Sequence, residues 1–173
     1  MSKQVTLILG GAASGKSSYA ERICFNSAKR RTYLATSQIV DSEMRVKIDK
    51  HVVQRGGGWT TYEEHLDLSP ILLSFDQSQI CLLDCATMWL SNQLLAGNNL
   101  QIAQQELLTA ISCCKSELVI VSNEVGMGIV PDNALARQFR EAQGRLNIVL
   151  AEHADCVVHV VAGLPNVLKG AVS

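Results

Sequence analysis

No charge of one sign dominates this chain: 15 lysines and arginines stand against 16 aspartates and glutamates. It therefore lacks the broad positive field that general binding to nucleic acid or to a membrane surface requires, and small-molecule chemistry is favoured. Long hydrophobic runs are missing too. The apolar stretch in MSKQVTLIL is far shorter than the ~20 residues of a membrane span and has no signal-peptide layout, so a cytoplasmic protein without stable membrane insertion is expected. Linkers, internal repeats and low-complexity segments are also lacking, and the 173 residues read as one domain, 1–173, long enough to bury a sizeable core. None of the six cysteines (24, 81, 85, 113, 114, 156) makes a CxxC pair, and the four histidines (51, 65, 153, 159) are scattered. That excludes a recognisable zinc pattern; the cysteines read as buried thiols of a reducing compartment, and His159, inside CVVHVVAG, as a core or strand-edge residue.

What is present is a concentration of small residues around one lysine. Residues 8–18 read ILGGAASGKSS, preceded by the apolar run VTLIL and followed by SYAERICFNSA with apolar residues at helical spacing. Gly10, Gly15, Lys16 and Ser17 satisfy GxxxxGKS, a match expected by chance at roughly one position in ten thousand or fewer. In this phosphate-binding loop, backbone N–H groups and a helix N-terminus face an anion, and glycines let the backbone approach it. Lys16 would reach the outer phosphates, and the Ser17 hydroxyl would sit on a magnesium ion bridging them.

Short apolar runs recur at Val5 to Leu9, Thr32 to Ala35, Ile80 to Asp84, Leu118 to Ser122 and Val157 to Ala162, each read as a buried strand. Between them, helical periodicity marks about Lys16 to Arg30, Ala86 to Leu95, Leu100 to Lys115 and Asn133 to His153. Strands alternating with helices predict an α/β fold: a single P-loop NTPase-like domain whose mainly parallel sheet carries helices on both faces. Ligands gather beyond the carboxyl ends of such strands. There, Asp84 closes ICLLD, where a carboxylate would hold magnesium directly or through water; the alternative is an N-cap for the helix starting at Ala86. Glu124, in NEVGMGIVP after the fourth run, could bind substrate, bind metal or anchor its loop.

The second connection carries a histidine. Met44, Ile48 and Val52 fall four apart, so a helix through His51 is expected, stopped by Gly56–Gly58. Such a histidine could be a general base, a phosphate hydrogen-bond donor, a nucleophile or a solvated surface residue. The glycine run makes movement of this segment plausible.

Taken together, GGAASGKS, YLATSQIVDSEM, RVKIDKHVVQRGGGWTTYEE and NEVGMGIVPDNALARQFREAQGRLN resemble the bifunctional adenosylcobinamide kinase/adenosylcobinamide-phosphate guanylyltransferase family of cobalamin biosynthesis, over nearly the whole chain. The resemblance implies two reactions. The hydroxyl of the aminopropanol arm of adenosylcobinamide takes the terminal phosphate of ATP or GTP; then GTP guanylylates a histidine, and adenosylcobinamide phosphate takes that group to give adenosylcobinamide-GDP. His51 matches the guanylylated histidine, with Lys16 as its catalytic partner. By the same match, Gly10, Gly11, Ala12, Ala13, Ser14, Gly15, Lys16 and Ser17 contact nucleotide phosphates, and Ala35, Thr36, Ser37, Val52, Val53, Gln54, Arg55, Glu63 and Asp84 complete the nucleotide site. The implied cofactor is Mg2+ on Ser17 and Asp84, with GTP and ATP as substrates, no nucleic acid partner, and a homotrimeric assembly.

Two positions depart from the family pattern. Many members have arginine at the place of Ala13 and a basic residue at the place of Val52; losing both charges would weaken phosphate binding or shift the balance between the activities. Two other readings use the phosphate loop: another small-molecule kinase, or a nucleotide-binding regulatory module. Neither accounts for the histidine segment and NEVGMGIVP in one chain.

Overall fold

The computed structural model describes residues 3–38 and 56–172. His51, Val52, Val53, Gln54 and Arg55, and the helix expected through His51, lie outside the described residues. In chain order the elements are β1 (Val5–Gly10), α1 (Lys16–Asn26), β2 (Arg30–Ala35), β3 (Trp59–Glu63), α2 (Ser69–Ser74), β4 (Gln79–Asp84), α3 (Ala86–Leu95), α4 (Leu100–Cys113), β5 (Glu117–Asn123), α5 (Ala134–His153), β6 (Cys156–Val161) and β7 (Leu164–Lys169).

The strands form one seven-stranded sheet in the order β3-β2-β4-β5-β1-β6-β7. Every pairing is parallel except β6 with β7. The inner strands are apolar on both sides because both faces are covered. Val5, Leu7, Cys81, Leu83, Leu118 and Ile120 pack with α2, α3, α4 and α5, while Ile8, Ile80, Leu82, Val119, Val121 and Val158 pack against α1. A leucine as fully enclosed as Leu7 or Leu146 contributes ~1.5–3 kcal/mol relative to its exposed state.

All five expected strands and all four expected helices on described residues are present, with shifted ends. The first helix stops at Asn26 instead of Arg30, since Ser27 turns extended and Arg30 enters β2, its amide donating to the Ser78 carbonyl and its guanidinium pairing with Asp76 at 3.1 Å. Three elements were not expected: β3 and β7, which are edge strands, and the six-residue α2. Every residue of β7 is exposed and Pro165 sits in it, a residue that only an edge strand tolerates. Five of the six cysteines are buried as expected; Cys113 is exposed. No helix among the described residues is long and apolar enough to cross a membrane.

Candidate active site

Gly10 ends β1 and Lys16 begins α1, so residues 11–15 form the expected strand-to-helix turn. Gly15 has φ +91°, and a Cβ there would lie 3.0 Å from Gly163 Cα; a Cβ on Gly10 would lie 2.7 Å from the Val160 carbonyl oxygen. Only glycine fits either place. The β6–β7 turn steadies the loop, with the Gly163 amide donating to the Ser14 carbonyl at 2.8 Å. Side chains cap α3, α4 and α5, from Cys85, Asn99 and Asn133, but none caps α1. Its first N–H groups thus face outward as anion donors. Ser14 Oγ is buried and makes no hydrogen bond, a further donor for a phosphate oxygen. Lys16 Nζ donates to the Gly11 carbonyl at 3.0 Å, folded over the loop.

Register gathers the other groups. Ala35 pairs with both Glu63 and Asp84, and Gly10 pairs with Asn123, so these strand ends lie along one edge of the sheet. Asp84 does not cap α3: that place belongs to Cys85, whose Sγ accepts from the Met88 amide. The Asp84 carboxylate instead accepts a hydrogen bond from the Tyr33 hydroxyl at 3.0 Å and lies close enough to Lys16 to act on it electrostatically. Burial lowers the Lys16 pKa below the ordinary lysine value, opposed by Cys85 and Asp84. Since burial pushes the Cys85 thiol up to about 12, Asp84 carries the opposing charge at neutral pH.

Thr36 stands one layer behind the surface expected for it. It is fully buried, and its hydroxyl donates to the Cys85 carbonyl (2.8 Å) and accepts from the Cys85 amide (2.9 Å). Its own amide donates to the Asp84 carbonyl, and its carbonyl meets Asn92 Nδ2 at 2.8 Å and His65 Nδ1 at 3.2 Å. Thr36 therefore fastens β2 to the end of β4, its hydroxyl, amide and carbonyl all engaged in hydrogen bonds within the protein. Ala35 and Ser37 flank it, half-buried, and Glu63 is exposed at the end of β3.

The profile described as cobinamide kinase / cobinamide phosphate guanyltransferase matches residues 6–168. The chain belongs to that family. It is 41% identical over 167 residues to the bifunctional adenosylcobalamin biosynthesis protein CobP of Pseudomonas aeruginosa, covering 95% of this chain and 96% of that one. The corresponding CobU proteins of Salmonella typhimurium (41% over 180 residues) and Escherichia coli (38% over 180 residues) are covered to 98%, with 94% of this chain. Among solved structures, a Pyrococcus horikoshii OT3 protein superposes with TM-score 0.58 at 11% identity, over 96% of this chain and 86% of that one. The type III secretion ATPase EscN of enteropathogenic E. coli, solved with its central stalk EscO, gives 0.57 at 10% identity, over 91% of this chain and 42% of that one. These two show the fold alone, a P-loop NTPase-like α/β sheet.

As a member of the cobinamide kinase / cobinamide phosphate guanyltransferase family the chain is a bifunctional transferase. Its described residues place Gly10 to Ser17, Ala35, Ser37, Glu63 and Asp84 along one sheet edge. Glu124, left open by sequence, is resolved in part: its carboxylate accepts from the Gly126 and Met127 amides at 2.6 and 3.3 Å, so it anchors its own loop. Sequence reasoning missed Tyr33, His65 and Asn92. One signal was available for the last, an amide within the apolar MWLSNQLL stretch of α3, where Asn92 is buried.

Proposed function

We propose that this one domain, residues 1–173, phosphorylates adenosylcobinamide with ATP or GTP and then carries GMP from GTP, through a guanylylated His51, to adenosylcobinamide phosphate. The observation that carries the reading is an uncapped helix N-terminus behind a glycine cradle, with Lys16 and Asp84 at its mouth, in a chain of this family. The loop's N–H groups and Lys16 hold the outer phosphates and offset charge on whichever group leaves. Ser17 and Asp84 offer only oxygen, a donor set that suits Mg2+. When bound there, Mg2+ supplies charge neutralisation on the phosphates. Tyr33 and Thr36 orient the Asp84 end of β4. Neutral imidazole is a good nucleophile at phosphorus, and a phosphoramidate on His51 divides one difficult transfer into two easier ones. Val52 to Arg55 belong to the same segment. The absence of arginine at Ala13 and of a basic residue at Val52 leaves the nucleophile in place, and both activities survive.

We further propose a cytoplasmic homotrimer. Five buried thiols suit a reducing compartment. An assembly would cover exposed apolar side chains such as Leu164, Val167 and Leu168 of β7; light scattering that gives a monomer at working concentration would overturn this. For the transferase half, intact-protein mass spectrometry after incubation with GTP and Mg2+ compares wild type with His51→Ala. The expected result is an acid-labile mass gain of one guanylyl group, absent from the variant. Nucleotide binding with no adduct in wild type would leave a kinase only.

A further inference from the structure

The sheet order puts β5 between β1, which leads into the phosphate loop, and β4, which ends at Asp84. Asn123, the last residue of β5, therefore stands between the two halves of the nucleotide site. It pairs with Gly10 of β1, and it lies two residues beyond Val121, the β5 partner of Asp84. Val119 and Val121 pack against α1, whereas Ser122 bonds to Gln143 and Asn147 of α5. Side chains of a strand alternate between its faces, so the Asn123 carboxamide is turned to the α1 face, where Lys16 begins its helix.

The backbone of Asn123 is satisfied on both sides, its amide by Thr87 Oγ1 at 2.7 Å and its carbonyl by Asn147 Nδ2 at 3.0 Å. The side-chain oxygen is not: Oδ1 is buried and makes no hydrogen bond among the described residues. A buried acceptor without a donor costs stability, and such a group in a native fold calls for a function.

We propose that Asn123 is a positioning residue for the lysine of the phosphate loop: with nucleotide bound, its carboxamide oxygen accepts from the Lys16 ammonium and holds that charge against the outer phosphates. The proposal rests on the kinase reading above. Lys16 is the donor that the geometry supplies. Its Nζ donates to the Gly11 carbonyl, just past the end of β1, and it feels the charge of Asp84, at the end of β4. Neighbouring strands stand ~4.8 Å apart, so an ammonium lying between those two strand ends passes over the end of β5. It carries three N–H groups. One is spent on Gly11, and a second on Asn123 leaves the third for a phosphate oxygen. A lysine side chain is flexible, and an acceptor whose backbone is fixed from α3 and α5 narrows the positions open to its charge. Because the carboxamide is neutral, it orders the ammonium without cancelling the charge that the phosphates need, as a second carboxylate would.

Asn123→Leu tests this on the full chain, replacing the carboxamide by an apolar group of similar size. The kcat for phosphorylation of cobinamide with ATP and Mg2+ is expected to fall about ten- to a hundredfold, the scale of one hydrogen bond to a charged group, while the KM for cobinamide stays within about twofold. Calorimetric titration with ATP should show binding weakened about tenfold. The urea midpoint should equal or exceed that of wild type, since the substitution removes an unsatisfied buried acceptor; a residue that only supports the fold would lower it. Unchanged kcat and ATP affinity overturn the proposal, and so does a fall in activity that accompanies a fall in the urea midpoint. A raised cobinamide KM at unchanged kcat overturns it too, placing Asn123 against the acceptor instead. Wild type unable to phosphorylate cobinamide overturns the functional reading, and the ATP titration then decides the role of Asn123 by itself: weakened binding at full stability upholds it, and unchanged binding overturns it.

Discussion

Replacing Thr36 by valine keeps the side chain's shape and removes two hydrogen bonds to Cys85, at 2.8 and 2.9 Å, in a place with no access to water. The two losses differ. The Cys85 carbonyl keeps a second partner, the Trp89 amide at 3.2 Å, so it loses about 0.5–1.5 kcal/mol. Among the described residues the Cys85 amide donates to Thr36 Oγ1 alone, and leaving it unsatisfied costs about 1–3 kcal/mol. Relief from burying the threonine hydroxyl returns part of this. A net destabilisation of about 2–3 kcal/mol is expected, a large share of the 5–15 kcal/mol typical of a domain. With a urea slope of about 2 kcal/mol/M the midpoint falls by about 1 M or slightly more. Thr36→Ser is the control: it keeps both hydrogen bonds, loses one buried methyl and should cost about 1 kcal/mol. Because the same bonds hold Asp84 in position, the KM for ATP should rise more in Thr36→Val than in Thr36→Ser. Urea unfolding followed by circular dichroism decides the first point and kinase assays the second. A valine variant within about 0.5 kcal/mol of wild type, or a serine variant less stable than the valine one, would show that Thr36 acts by packing and not by hydrogen bonding.

Lys16→Met tests the electrostatics of the loop. Burial lowers the Lys16 pKa, so its charge is less at home in the fold than in the unfolded chain at every pH below the folded value, and this cost fades as pH rises towards 10.5. The urea midpoint of wild type minus that of Lys16→Met should therefore increase between pH 7 and pH 10, and a flat or falling difference refutes the burial argument; ATP binding should be lost in the variant. Thiol titration of native protein with an aromatic disulfide reagent should find one fast cysteine, the exposed Cys113, since burial pushes Cys24 and Cys85 to about 12 and raises Cys81 and Cys156 as well. Six should react once the chain is unfolded, and loss of the fast phase in Cys113→Ser checks the assignment.

The sheet was legible where burial is two-sided. β1, β4 and β5 are continuous apolar runs because helices cover both faces, so their sequence needs no alternation to be recognised. β3 and β7 escaped because an edge strand is half-solvated: WTTYE and LPNVLK mix polar, aromatic and apolar residues without a run. At the site, the loop was legible because its spacing is imposed by backbone geometry, glycine at Gly10 and Gly15 being required by what surrounds them. Asp84 was legible from its place at a strand end. The hydrogen bonds of Thr36 were not legible, because its partner Cys85 is 49 residues away in the chain, and sequence alone does not say which hydroxyls are spent inside.

The same limit applies to the groups behind the loop after β5, which fix the backbone on which the phosphate loop stands. Ser122 is fully buried; its hydroxyl donates to Asn147 Oδ1 at 2.6 Å and accepts from Gln143 Nε2 at 2.9 Å, joining β5 to α5. Thr87, in the first turn of α3, accepts from the Asn123 amide at 2.7 Å. Asn147 Nδ2 in turn donates to the Asn123 carbonyl at 3.0 Å. Thus Asn123, the last residue of β5, is held from α3 on one side and α5 on the other, directly beside Gly10 in the register. Buried hydrogen bonds of this kind leave little freedom for the backbone they hold, since any shift would strand polar groups away from water. The phosphate loop consequently rests on a fixed base. The edge carrying Asp84 is tied to that base through α3, and Glu124 follows Asn123 without an intervening residue.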